Sequence, residues 1–164
     1  MPLFFLNLNF MEVHSSSRFE EQITIYTDGG SRGNPGPAAL GVAMGVPISK
    51  GYSKYLGKKT NNEAEYEAVI FALAKLKALL GGGKCKNLKV TFKMDSELAV
   101  SQLSRKYKVE GKTIIPLFVK IHNLSLDFGE LEFQHIPREQ NKEADALVNR
   151  ELNAHTHEEG LFNL

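Results

Sequence analysis

The segment from Thr60 to Asp95 restricts the fold of this chain more than any other. Thr60 and Glu63 form a Thr-x-x-Glu capping box, which satisfies backbone N–H groups at a helix start. Val69, Ala72, Leu73, Leu76 and Leu80 then recur at helical spacing, and Gly81-Gly82-Gly83 stops the run. The spacing predicts a helix over Thr60–Leu80. Directly afterwards Leu88, Val90, Phe92 and Met94 alternate with Lys89, Thr91, Lys93 and Asp95, which is the period of a strand with one buried face.

The remaining elements follow the same rules. Ile23–Thr27 is β-rich and reads as a strand closed by a tight turn at Asp28-Gly29-Gly30. A loop over Ser31–Pro37 carries two Gly and two Pro. Ala39–Val46 and Tyr52–Leu56 read as strands joined in a hairpin around Pro47–Gly51. A short helix is expected over Ser96–Leu103, another with Pro116 in its first turn ending near Leu126, a strand over Leu131–Ile136 and a last helix over Gln140–Ala154. Antiparallel strands come first and β-α-β crossovers later. The implied class is α/β: a five-stranded mixed sheet, three strands antiparallel and two added in parallel, with helices on both faces.

The chain has 164 residues, 42% of them hydrophobic and 24% charged, which fits one packed domain. Cys85 is the one cysteine, so an intramolecular disulfide and a multi-thiolate zinc site are excluded, and a reducing cytoplasm is the expected setting. The net charge of +1 lacks the basic footprint of a typical nucleic-acid binder, although acids gathered on metal would hide such a footprint. The opening MPLFFLNLNFM is too short to span a bilayer and carries neither the basic region nor the cleavage site of a secretory signal. Residues 1–21 read as an appendage, disordered, docked on an edge or partly a mis-assigned start before Met11. Residues 22–154 form the domain, and 155–164 a tail without clear period. His155 and His157 in that tail lack the further ligands a metal site needs.

Four acids invite chemistry. Asp28 ends the first expected strand and Asp95 the fourth, on matching faces, so parallel neighbours would bring both to one sheet edge. Glu65 precedes Val69 by one helical turn and lies on the buried stripe, where an unpaired charge is costly. Asp145 lies in the first turns of the last helix, whose partial positive charge favours an anion. Each also has a plain structural role: Asp28 as a turn residue, Asp95 as an N-cap, Glu65 as a salt-bridge partner, Asp145 as a dipole complement. Carboxylates gathered closely would take up protons unless cations intervene, and hard divalent cations such as Mg²⁺ take oxygen ligands.

YTDGGSRGNPGP from Tyr26, TNNEAEYEA from Thr60, MDSELAVSQL from Met94 and HIPREQNKEADALVN from His135 occur in this order. Together they make the chain, from about Ile23 to Asn153, resemble ribonuclease H of type 1. The resemblance implies that Asp28, Glu65, Asp95 and Asp145 bind two Mg²⁺, with Mn²⁺ as a substitute. His135 would match a loop histidine that assists proton transfer or product release. Substrate contacts would fall to Gly29, Arg32, Asn34, Thr60, Asn62, Ser96 and Glu97, with Thr60 also an N-cap and Glu97 standing where relatives often have Gln. The implied reaction is endonucleolytic hydrolysis of the RNA strand of an RNA–DNA hybrid, leaving 5′-phosphate and 3′-hydroxyl ends, by a monomer without membrane attachment.

Two departures stand out. The chain has no Trp, and the basic, Trp-rich helix of many relatives is missing; Arg105-Lys106-Tyr107-Lys108, with Lys112, remains as a basic run able to grip phosphates or to be a solvated loop. Arg138 stands where some relatives have a second histidine. The rival readings are another nuclease of the same superfold (an integrase, a resolvase or the nuclease domain of a reverse transcriptase) and a degenerate module that holds hybrid without cutting it.

Overall fold

The computed structural model describes residues 21–162, with side chains through 156. The N-terminal appendage therefore lies outside the described residues, apart from Glu21, which opens the first strand. In chain order the elements are β1 (Glu21–Ser31), β2 (Gly36–Met44), β3 (Lys50–Lys59), α1 (Asn61–Leu80), α2 (Gly82–Cys85), β4 (Leu88–Met94), α3 (Glu97–Leu103), α4 (Ile114–Ser125), β5 (Glu130–His135) and α5 (Lys142–Phe162), with a 3-10 turn at Arg138–Gln140. The sheet order is β3-β2-β1-β4-β5. β1–β2 and β2–β3 are antiparallel, β1–β4 and β4–β5 parallel, as the sequence predicts.

Large apolar side chains build one face. Ile23, Ile25, Leu40, Val42, Val90 and Phe92 meet Val69, Leu73 and Leu76 of α1, and α3 and α4 close the same core. α1 enters this layer through the expected capping box: Glu63 N–H donates to Thr60 Oγ1 at 3.2 Å, and Thr60 N–H to Glu63 Oε2 at 2.8 Å. Such a cap contributes about 1 kcal/mol. The opposite face carries α5 on a small cluster, Ala39, Val148 and Leu152 with Tyr55 against it. Small residues let this helix approach. A Cβ at Gly41 would overlap the Ala144 carbonyl oxygen.

Three expectations are corrected. β1 does not end at Asp28 but runs to Ser31, because Gly29 and Gly30 pair with Leu40 and Ala39 in the ladder. Gly29 serves close packing rather than a turn, since a Cβ there would strike the Ala64–Glu65 backbone. The last helix does not stop at Ala154 before a tail but continues to Phe162. Contacts distant in sequence carry it on: Glu151 Oε2 accepts from Ser53 Oγ at 2.7 Å, His155 stacks on Tyr55 at 3.8 Å, and Arg32 donates to Asn153 and Thr156. Asp95 is not an N-cap. Ser96 takes that position, accepting from Ala99 N–H at 3.3 Å. Among the described residues no helix is long and apolar enough to cross a membrane.

Candidate metal centre

The parallel register delivers two carboxylates to one place. Tyr26 pairs with Lys93, so Asp28 and Asp95, each two residues further along, emerge side by side at the carboxyl edge of the sheet. Glu65 reaches the same point from the first turns of α1, held close because Gly29 lets the α1 backbone touch β1. Oxygens of Asp28, Glu65 and Asp95 all lie within 4.8 Å of one another. Asp28 is 8% and Glu65 6% exposed, so both charges are largely stripped of water.

Electrostatics follow from that geometry. Burial, then the charges of Asp95 and Asp145, push the Asp28 carboxyl up to about 7, against the opposing pull of Arg138 and the Gly29 N–H. Burial, with Asp28 and Asp95 adding to it, pushes Glu65 well above the usual carboxylate range. Glu65 Oε2 is buried without any hydrogen-bond partner. Three converging carboxylates with an orphaned oxygen suit a hard divalent cation, whose ligands are oxygens and whose charge removes the repulsion.

Asp145 lines the same cleft of about 490 Å³ but stands outside the oxygen cluster. Arg138 Nη2 donates to its Oδ1 at 2.9 Å, and Asn149 Nδ2 to its Oδ2 at 3.1 Å. Arg138 thus answers the fourth acid from within the chain. Asn141 is a buried anchor beside the cluster that sequence reasoning missed. Fully buried at the start of α5, it donates to Thr27 O at 2.9 Å and lies 3.4 Å from Asp95 Oδ1. It therefore ties β1, Asp95 and α5 together. The signal available was the i, i+4 row Asn141, Asp145, Asn149, one face of a helix.

The remaining candidates divide. Gly29, Arg32 and Ser96 line the cleft. Arg32 is engaged by α5, and Ser96 by its own helix start. Asn34 Oδ1 accepts from Asn61 N–H at 3.0 Å and so braces the α1 N-terminus beside Thr60. Asn62 Oδ1 is buried without a partner. Glu97 is exposed in the first turn of α3. His135 is exposed at the end of β5, paired with Met94 and outside the cleft lining. Lys106 and Lys108 are exposed on the α3–α4 loop, away from the acids.

Sheet order and the acid-lined carboxyl edge define an α/β protein with a carboxylate cluster able to hold a metal ion. Residues 27–151 match the family described as "Reverse transcriptase-like". A bifunctional protein of Mycobacterium tuberculosis is 34% identical over 137 residues; the alignment covers 81% of this chain, which spans 36% of that relative's length. The crystal structure of LC11-RNase H1 in complex with RNA/DNA hybrid superposes with a TM-score of 0.76 at 43% identity, covering 82% of this chain and 99% of that one. RNase H1 from Halobacterium salinarum superposes with a TM-score of 0.72 at 32% identity, covering 81% and 98%. The chain belongs to the ribonuclease H family, in its type 1, reverse transcriptase-like branch.

Proposed function

We propose that this protein is a divalent-metal-dependent endonuclease that hydrolyses the RNA strand of RNA–DNA hybrids, leaving 5′-phosphate and 3′-hydroxyl ends. The observation that carries the reading is the convergence of Asp28, Glu65 and Asp95 within 4.8 Å around an unpartnered Glu65 oxygen. A solved relative, LC11-RNase H1, holds an RNA/DNA hybrid.

Asp28, Glu65 and Asp95, joined by Asp145, would hold two Mg²⁺ or Mn²⁺ ions. Once bound, such ions polarise the phosphodiester and make water nucleophilic near neutral pH. The chain supplies the rest. Glu65, anchored in α1, aligns the scissile phosphate. Asn141 holds Asp95 against β1, keeping the carboxylates in place while substrate arrives. Gly29 lies near the end of β1, Arg32 and Asn34 on the β1–β2 loop, and Thr60, Asn62, Ser96 and Glu97 at the starts of α1 and α3. Helix N-termini there offer N–H donors to phosphate and 2′-hydroxyl groups, the groups that distinguish RNA from DNA. Lys106 and Lys108 add phosphate contacts. His135, on the segment leading to Arg138, accepts or returns a proton as product leaves.

The test is a labelled RNA–DNA duplex incubated with Mg²⁺, with EDTA and Glu65→Gln as controls. Cleavage confined to the RNA strand, abolished by both controls, is the expected result. Tight binding without cleavage under Mg²⁺ and Mn²⁺ overturns the reading.

A further inference from the structure

The basic run Arg105–Lys108 is exposed, yet its backbone is closely held. Lys106 N–H and Tyr107 N–H both donate to Ser101 O, at 2.8 and 3.1 Å, and Arg105 N–H donates to Gln102 O at 3.0 Å. Arg105 sits at φ 61°, a left-handed conformation that a non-glycine residue keeps only where its surroundings impose it. What imposes it begins in the core.

Gln102, 6% exposed on α3, accepts from the hydroxyl of fully buried Tyr66 at 2.9 Å and donates from Nε2 to Lys108 O at 3.1 Å. A carbonyl can only accept, so the amide has one orientation that satisfies both neighbours: nitrogen toward Lys108, oxygen toward the phenol. The phenol completes the relay as the donor. Tyr66 is the residue after Glu65 on α1. The chain thus has a continuous hydrogen-bonded connection from the helix bearing a metal ligand to the loop bearing Arg105, Lys106, Tyr107 and Lys108.

We infer that Gln102 is a positioning residue for nucleic-acid binding: through Tyr66 and Lys108 O it holds the basic loop in the shape that presents its cations to the hybrid's phosphates. The inference rests on the hybrid-cleaving function proposed above. A loop already ordered loses less conformational entropy when substrate arrives, so the clasp acts on affinity.

The experiment uses the full chain with Tyr66→Phe and Gln102→Met combined. This pair removes both polar partners together, keeps volume and leaves no orphaned group in the core, while Lys108 O turns to water. Trypsin cuts after Arg105, Lys106 and Lys108 only when the loop opens, so nicking there should accelerate about tenfold. KM for an RNA–DNA duplex should rise about fivefold, with kcat kept within twofold. A Lys106→Ala/Lys108→Ala variant should raise KM in the native background and raise it less in the unclasped one. Unchanged nicking overturns the clasp. Faster nicking with unchanged KM, or a loss confined to kcat, overturns its link to binding. A parent protein that never cuts hybrid defeats the proposed function instead, and the nicking result still judges the clasp.

Discussion

The two faces of the sheet are built by different means. On the α1 face, interlocking large apolar side chains supply the hold, with Phe92, Ile23, Ile25, Leu73 and Leu76 almost wholly buried. On the α5 face the buried residues are smaller and fewer, Ala39 with Ala144, Leu147, Val148 and Leu152 of α5, and approach is permitted by glycines in β1, β2 and the start of β3. The candidate centre straddles both. Asp28, Glu65 and Asp95 are fixed by strand register and by α1, whereas Asp145, Arg138 and Asn149 ride on or beside α5. The lesson is that the fourth acid is carried by the α5 side of the sheet, whereas the other three are placed by strand register and α1, with Asn141 linking Asp95 to the start of α5.

Breaking the fixed half should have the largest effect. Glu65→Gln or Asp28→Asn should lower kcat on the order of a thousandfold, since each removes a carboxylate from the proposed metal centre. Folding should persist, because each change removes a buried charge; activity assays beside thermal melts check both. Next, Gly41→Ala should wedge α5 away and destabilise by about 3 kcal/mol, comparable to Leu73→Ala on the thick face. Urea titrations measure the stability loss. The comparison is sharpened by kcat: it should fall in Gly41→Ala, through displacement of Asp145, and hold in Leu73→Ala at temperatures where both are folded.

A pH series probes the charge cluster itself. Asp28 titrates near 7 when folded, against an ordinary value of 3.8, so between these the folded state binds more protons than the unfolded. Without divalent cations, its contribution is therefore fully present below about pH 4 and is lost as pH rises through 7, at a slope up to ~1.4 kcal/mol per pH unit. Asp28→Asn should flatten that slope, and Mg²⁺ should stabilise the parent more at pH 8 than at pH 5. A parent and variant with equal slopes would count against the cluster. The smallest effect belongs to Arg138→Ala. Its guanidinium is 76% exposed, so stability should change by less than ~1 kcal/mol despite the 2.9 Å pair with Asp145.

Much of this was legible in order of residues because it is local. The capping box at Thr60 and Glu63, the alternation of Leu88–Met94 and the matching parity of Asp28 and Asp95 each depend on spacing within one element. Gly29 misled because a Gly-Gly pair after an aspartate has the local grammar of a turn, while its reason is the α1 backbone arriving from 35 residues away. Asn141 was missed because the expected helix from Gln140 made it one more polar helical residue, whereas it precedes α5 and its amide is spent on Thr27 O across the sheet. The end of α5 lacks a period of its own, and Ser53, Tyr55 and Arg32 carry it.

By itself, then, the sequence determined the element types, the mixed-sheet class and which carboxylates could converge, because periodicity and capping act over a few residues. Only the tertiary structure decided that Asp28, Glu65 and Asp95 share one cluster while Asp145 pairs with Arg138. It also decided that Asn141 and Gln102 are anchors. Those outcomes depend on how closely separate elements approach, which distant small residues and buried hydrogen bonds set.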